Sequence, residues 1–119
     1  MNENKNDFFD YAKVKVEADG WVYFNYYIGS LNDGLFKART DGSDFECIAK
    51  TLLRGWSEIR SISVKDGWVY FGVTEDYSES DKERSEYNRY SDTVEYKVKT
   101  DGTELTELDR SRGYVGTSD

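Results

Sequence analysis

A six-residue block that occurs twice constrains the fold of this 119-residue chain more than any other feature. Residues 19–24 and 66–71 both read Asp-Gly-Trp-Val-Tyr-Phe, at an offset of 47. Residues 37–43 and 97–103 form a second pair of blocks, Lys-x-x-Thr-Asp-Gly-Ser/Thr, at an offset of 60. The second copy therefore carries 13 more residues between its blocks than the first. Repeats of this length are typical of propeller blades and solenoid units.

Each copy has the pattern of four short antiparallel strands. The first strand alternates apolar and polar residues, as a half-buried strand does. The second, residues 21–28 in the first copy, is apolar on both faces and so belongs between two layers. The Asp-Gly pair after the third strand is a strong hairpin signal. The other predicted strands are 14–16, 35–40 and 44–49 in the first copy, and 62–64, 94–100 and 104–108 in the second.

The repeat extends beyond these blocks on both sides. At an offset of 48, Phe8, Tyr11, Val14 and Val16 align with Trp56, Ile59, Ile62 and Val64. Residues 54–56 also resemble residues 112–114, where a third copy would begin. We therefore expect one domain over residues 1–119, with repeat one at about 8–53, repeat two at 54–109, an insertion at 75–92 and a tail at 110–119.

The repeated blocks resemble those of bacterial β-propeller repeats, which are themselves similar to the propeller of low-density-lipoprotein-receptor-related proteins. The resemblance covers roughly residues 11–109. It implies an all-β fold of two four-stranded antiparallel blade-like repeats, and it says little about activity because propellers serve many functions. Since propellers close with about four to eight blades, three arrangements stay open: a ring closed by self-association, a partial β-propeller from a longer protein, or two sheets packed as a small sandwich.

The composition excludes several functional classes. With 24 acidic against 16 basic residues, the net charge is −8, which disfavours direct nucleic-acid binding because such binding depends on basic surface. The chain has no histidine and a single cysteine, Cys47. Histidine-dependent nucleophiles, intrachain disulfides and cysteine- or histidine-based zinc sites are therefore excluded. Cys47 itself is predicted to be a small buried residue of the fourth strand.

No targeting segment is recognisable in the sequence. The polar residues 2–7 precede no apolar segment, and the longest apolar stretch, near residues 21–28, is too short for a membrane helix. We therefore expect a cytoplasmic protein without membrane contact, although a piece of a secreted protein would look the same.

The sequence contains no recognisable catalytic, cofactor or metal motif. Asp19, Asp41, Asp66 and Asp101 are predicted to lie in turns, because each precedes a glycine and each occurs at a repeated position. Residues 76–87 carry alternating oxygen ligands but lack the Gly and Glu of an EF-hand loop. Motifs for an activated serine, a phosphate-binding loop and a dinucleotide site are missing. We expect no enzymatic activity, no cofactor and no metal.

Aromatic residues at repeated positions, such as Trp21 and Trp68, are predicted to form the core. Aromatic residues that differ between the copies are candidates for a binding surface, since exposed Tyr and Trp favour interfaces. The insertion has seven acidic and three basic residues and no aliphatic one, which predicts a solvated hairpin or a binding loop. The candidate contact residues are Tyr26, Tyr27, Trp56, Tyr77, Glu79, Asp81, Glu83, Glu86, Tyr87 and Tyr90.

These features lead to three functional hypotheses. The first is a non-catalytic module that displays the acidic, tyrosine-rich insertion to a protein partner. The second is an inhibitor whose acidic surface imitates nucleic acid and occupies a basic cleft, a mode that salt weakens steeply. The third is a sugar-binding or enzymatic fragment of a propeller.

Overall fold

The computed structural model describes residues 7–27, 33–50, 56–81 and 83–118. Within these residues the chain is all-β apart from one short helix, α1 (Asp7–Tyr11). The strands are β1 (Lys15–Ala18), β2 (Trp21–Tyr27), β3 (Asp33–Arg39), β4 (Glu46–Lys50), β5 (Trp56–Lys65), β6 (Trp68–Asp81), β7 (Glu86–Lys99), β8 (Thr106–Ser111) and β9 (Tyr114–Ser118). Sheet A has the order β1-β2-β3-β4, and sheet B has the order β5-β6-β7-β8 with β9 also paired to β7. The predicted all-β fold of two antiparallel sheets is confirmed.

Each sheet is one copy of the repeat, and matched turns join its strands. The Asp-Gly turn at residues 19–20 has φ values of 53° and 82°, and its counterpart at residues 66–67 has 52° and 81°, as a type I′ hairpin turn requires. After the third strand, Asp41 Oδ1 accepts hydrogen bonds from the N–H and the hydroxyl of Ser43 at 2.9 and 2.6 Å. Asp101 accepts the same two bonds from its threonine neighbour. The repeated aspartates therefore serve turns, as predicted.

The two sheets pack through unlike faces of the repeat. Sheet A turns the Tyr23 side of β2 inward, whereas sheet B turns the Phe71 side of β6 inward. The shared core combines Tyr23, Leu35, Ile48 and Ala49 of sheet A with Ile59, Ile62, Val69, Phe71, Val73 and Val98 of sheet B. This is the head-to-tail packing of stacked repeats and not the packing of a two-fold pair, in which like faces would meet.

Head-to-tail packing places equivalent residues in different surroundings. Tyr23 is 3% exposed in the core, whereas its counterpart Tyr70 lies half-buried on the outer face of sheet B. Trp21 borders the core, and Trp68 shares the outer face with Tyr70. Basic side chains cover both indoles, at 4.4 and 4.2 Å from the ring centroids. The prediction that both tryptophans are core is wrong for Trp68, because a given face is interior in only one of two head-to-tail repeats.

The first strands of the two repeats direct apolar residues into the core from opposite faces. Val16 pairs with Tyr23, and Ser63 pairs with Tyr70, so the structural offset of this strand is 47. The offset of 48 predicted from the sequence is wrong by one residue. Because a slip of one residue moves every side chain to the other face, Val16 packs inward from sheet A and Ile62 packs inward from sheet B.

The outer face of sheet A is covered by α1 and an aromatic cluster. Phe24 and Phe36 are buried there, and Phe8 of α1 stacks on Phe24 with ring centroids 5.3 Å apart. Phe45 borders the cluster at 4.8 Å from Phe8, and the predicted contact residue Tyr26 lies 5.7 Å from Phe45. Tyr26 is therefore part of the packing that covers the outer face of sheet A, and it contributes to the fold.

A buried carboxylate links the two sheets. Asp33 of β3, which is 2% exposed, accepts a hydrogen bond from the backbone N–H of Ile59 in β5 at 2.9 Å. It also accepts one from the side-chain amide of Asn25 at 3.1 Å. Asn25 Oδ1 accepts bonds from the N–H groups of Lys13 and Val14. Since a buried carboxylate must keep its partners to remain stable, this network fixes how the sheets align.

Sheet B and Cys47 differ from the sequence prediction. Residues 114–118, predicted as part of a tail, form β9, so sheet B has five strands and not four. The lengthened β7 needs a partner for its backbone groups, and β9 supplies one. Cys47 is exposed, because it pairs with Phe36 on the outer face of sheet A, whereas Ile48 and Ala49 of the same strand pack into the shared core. Ile28 and the predicted repeat boundary at 53/54 lie outside the described residues.

Alanine variants of Tyr23 and Tyr70 test the head-to-tail packing. We expect Tyr23→Ala to lower the free energy of unfolding by about 3–5 kcal/mol, because it empties a buried aromatic site. We expect Tyr70→Ala to cost only about 1 kcal/mol, since its side chain is half-buried on the outer face. Urea denaturation followed by tryptophan fluorescence measures both values. Equal losses in the two variants would contradict the assignment of inner and outer faces.

Candidate functional site

The insertion continues two strands of sheet B beyond the body of the molecule. β6 and β7 stay paired as far as Asp81 and Glu86, and β9 pairs with residues 87–90 of β7. We call residues 77–90 and β9 the arm. The hairpin form predicted for the insertion is confirmed, but its base is buried where the prediction had it solvated, because Glu75 and Asp92 are 0% and 1% exposed.

An arginine holds these two carboxylates at the base of the arm. Glu75 and Asp92 are paired across β6 and β7, and Arg110 Nη1 lies 2.9 Å from the first and 2.8 Å from the second. Tyr96 donates its hydroxyl to Glu75 at 2.9 Å, and Tyr77 donates to Asp92 at 2.9 Å. One cation and two phenols thus compensate two buried anions, as buried charges require, while Glu75 Oε1 and Asp92 Oδ1 make no hydrogen bond.

The pKa values of Asp92, Tyr77, Tyr96 and Arg110 are all shifted away from neutral pH. Burial acts to raise the pKa of Asp92, but hydrogen bonds from Arg110 and Tyr77 outweigh it and hold the pKa below the usual value. Burial and the neighbouring carboxylates raise the pKa of Tyr77 and of Tyr96. Burial acts to lower the pKa of Arg110, yet its bonds to Glu107, Asp92 and Glu75 raise it. An acid–base catalyst needs a pKa near the working pH. Groups whose pKa values lie far from neutral pH are better suited to a structural role.

Three tyrosines form a ladder on the same face of the arm. Tyr77 and Tyr90 stack with ring centroids 5.4 Å apart, and Tyr90 contacts Tyr114 of β9 edge to face at 5.7 Å. The guanidinium of Arg112 lies 3.8 Å from the centre of the Tyr90 ring and forms an ion pair with Glu79 at 2.8 Å. Tyr114 is 61% exposed, whereas Tyr77 and Tyr90 are half-buried, so the ladder offers rings that are held in place and partly accessible to solvent.

The opposite face of the arm carries a shallow cavity. It has a volume of about 350 Å³, and its lining residues are Asp76, Tyr77, Ser78, Arg89, Tyr90, Ser91 and Val115. Trp56, which pairs with Asp76, is 57% exposed on this face. Tyr87 also points to this side, because it alternates with the ladder residues along β7.

The ten predicted contact residues are distributed over several surfaces. Tyr77, Glu79 and Tyr90 belong to the ladder; Asp81, Glu83 and Glu86 lie at the tip of the arm; Trp56 and Tyr87 lie on the cavity side; Tyr26 belongs to the aromatic cluster; and Tyr27 ends β2, 57% exposed. Two compact groups thus result: Tyr77, Glu79 and Tyr90 in or beside the ladder, and the three acidic residues at the tip.

Sequence reasoning missed Arg110, Arg112 and Tyr114, because it assigned residues 110–119 to a tail. Their alternate spacing was the available signal, since residues two apart share one face of a strand. The pairing of Glu75 with Asp92 could not be read from composition, which only marked the segment as acidic. Tertiary pairing of β8 and β9 with β7 brings these residues together.

Searches for similar proteins identify no relative. No family model, curated protein or solved structure matches the chain. Among the described residues, no cluster of three or more metal-ligating side chains occurs, and none of the described helices could span a membrane.

Removing the cation at the base of the arm should be costly. Arg110→Met leaves Glu75 and Asp92 buried without their positive partner, and we expect it to lower the free energy of unfolding by about 3–5 kcal/mol. Adding Glu75→Gln and Asp92→Asn to that variant should restore most of the loss, because no buried charge remains. Urea denaturation measures the series. If Arg110→Met alone were as stable as the parent, the ion pairs would not contribute to stability.

The network also predicts how stability depends on pH. The pKa of Asp92 is lower in the folded chain than in the unfolded chain, so its contribution is present above the unfolded value of about 4 and is lost as the pH falls through the folded value. We expect Asp92→Asn to flatten the acid limb of a stability curve measured between about pH 2 and pH 6. An unchanged acid limb would contradict the assigned hydrogen bonds. Asp44→Asn, at an exposed position, is the control.

Proposed function

We propose that this chain is a non-catalytic protein-binding module and that the tyrosine ladder of the arm is its contact surface. The observation that carries the proposal is the ordered stack of the half-buried Tyr77 and Tyr90 with the exposed Tyr114, in which Arg112 lies over the Tyr90 ring. Tyrosine and arginine dominate the residues that contribute most to protein interfaces. Rings already held by stacking lose little entropy on binding.

The charge distribution favours this function over imitation of nucleic acid. A mimic needs free carboxylates to occupy a basic cleft, in the way phosphates do. Within the insertion, Arg110 neutralises Glu75 and Asp92, and Arg112 pairs with Glu79. The acidic groups nearest the ladder are therefore already engaged, and at the tip Asp81 forms an ion pair with Arg84.

The surfaces of the two sheets favour a sandwich over a closed ring of several chains. Ring closure would place the outer face of sheet B against the outer face of sheet A in another copy. Sheet B presents Ser61, Ser63 and Lys65 on the first strand of that face, and α1 already covers the partner face. On the inner face of the same strand, Ile62 packs into the core. Apolar residues inside and polar residues outside are the pattern of a strand in a sheet with one face in solvent.

Point variants in the ladder test the proposal. The parent chain is used to capture partners by quantitative affinity enrichment, and each captured protein is then purified and titrated against Tyr90→Ala and Arg112→Ala. We expect the dissociation constant to rise by about tenfold or more, the effect of removing an interface hot spot. Tyr87→Ala, on the opposite face of the same strand, is the matched control and should bind normally.

Two outcomes would overturn the proposal. One is equal binding by the ladder variants and the parent. The other is affinity that falls steeply with salt but not with ladder substitution, which would indicate the nucleic-acid mimic instead.

A further inference from the structure

The edge of β9 differs from every other edge strand of the two sheets in its charge. Edge strands are protected from pairing with other molecules mainly by charged side chains. The edge strands β1, β4, β5 and β8 each contain at least two charged residues. β9 reads Tyr-Val-Gly-Thr-Ser and contains none.

Bulges do not explain this difference. β9 has a register shift at Val115, but the pairings of β4, β5 and β8 contain shifts as well. Within the described residues β9 pairs with β7 on one side and with no strand on the other. Tyr114 and Val115, residue types that favour strands, are 61% and 56% exposed. β9 is thus paired on one side only, yet its uncharged residues are of the kind usual in strands that are paired on both sides.

We propose that β9 is a self-association edge, at which two copies of this chain pair antiparallel across a two-fold axis and join their B sheets into one. A two-fold contact sets β9 against itself. Each copy carries a net charge of −8, so close approach requires a contact without like charges. β9 is the edge strand that meets this condition, and pairing would cover Val115 and Tyr114 of both copies.

The association is expected to be weak. One strand of five residues buries less than the roughly 1,200 Å² of a stable interface. The dimer should therefore form in the micromolar range and dissociate on dilution. The strand pairing covers Tyr114 but leaves Tyr77 and Tyr90 outside it, so the two proposed surfaces overlap at Tyr114 only, and self-association requires no other partner.

Sedimentation velocity of the whole chain tests the proposal. Between about 1 and 500 µM, the mass should rise from 13.8 kDa toward twice that value. Val115→Lys places two like charges near the two-fold axis and should weaken the dimer by about tenfold or more. Ser80→Lys adds the same charge on β6, away from the edge, and should dimerise like the parent.

Hydrogen exchange shows which edge is used. In the parent, amide protection of residues 114–118 should increase with protein concentration, and in Val115→Lys it should not. A parent that stays monomeric over the whole range would overturn the proposal. Equal dimerisation of the two lysine variants, or added protection at a different edge strand, would do so as well.

Discussion

The structure depends on contact between two unlike faces of one repeated unit. A repeat that buries the same face in both copies would form a two-fold pair, whereas here the Tyr23 face of sheet A meets the Phe71 face of sheet B. This arrangement leaves one face of each sheet outside, and the two are treated differently. Aromatic residues and α1 cover the first, whereas the second carries Trp68 and Tyr70 among serines and lysines and faces solvent. Asp33 then fixes the alignment, because it is buried and bonds across the interface to Ile59.

The arm is ordered by charge at its base, since it has no aliphatic core. Glu75 and Asp92 lie where the shared core ends along β6 and β7, and Arg110 balances their charge while two tyrosine hydroxyls each donate one hydrogen bond to them. Glu75 Oε1 and Asp92 Oδ1 stay buried without a hydrogen bond. Beyond this point stacking replaces burial, with Arg112 and the tyrosines holding one another. The proposed contact surface is therefore attached to a rigid scaffold, which lowers the entropy cost of binding.

Residue patterns along the chain predicted the strands and turns well, because these depend on local chemistry. The Asp-Gly pairs marked turns that the structure shows with matching φ values in both copies. The same patterns misplaced the first strand by one residue. Val14 and Ile62 are both apolar and both pack against the shared core, but they lie on opposite faces of the repeated unit. They also misjudged residues 110–118, because the alternate spacing of Arg110, Arg112 and Tyr114 is too short a signal to establish a strand until the pairing with β7 is known.

The sequence by itself determined that this protein is made of two antiparallel sheets of the same design. Strand alternation and turn chemistry act over a few residues and need no distant partner. Only the tertiary structure decided which faces are inside, that Arg110 and Arg112 reach the insertion, and which of the candidate tyrosines form one surface. Each of these depends on pairing between segments far apart in the chain, and a shift of one residue in that pairing exchanges the inner and outer side chains.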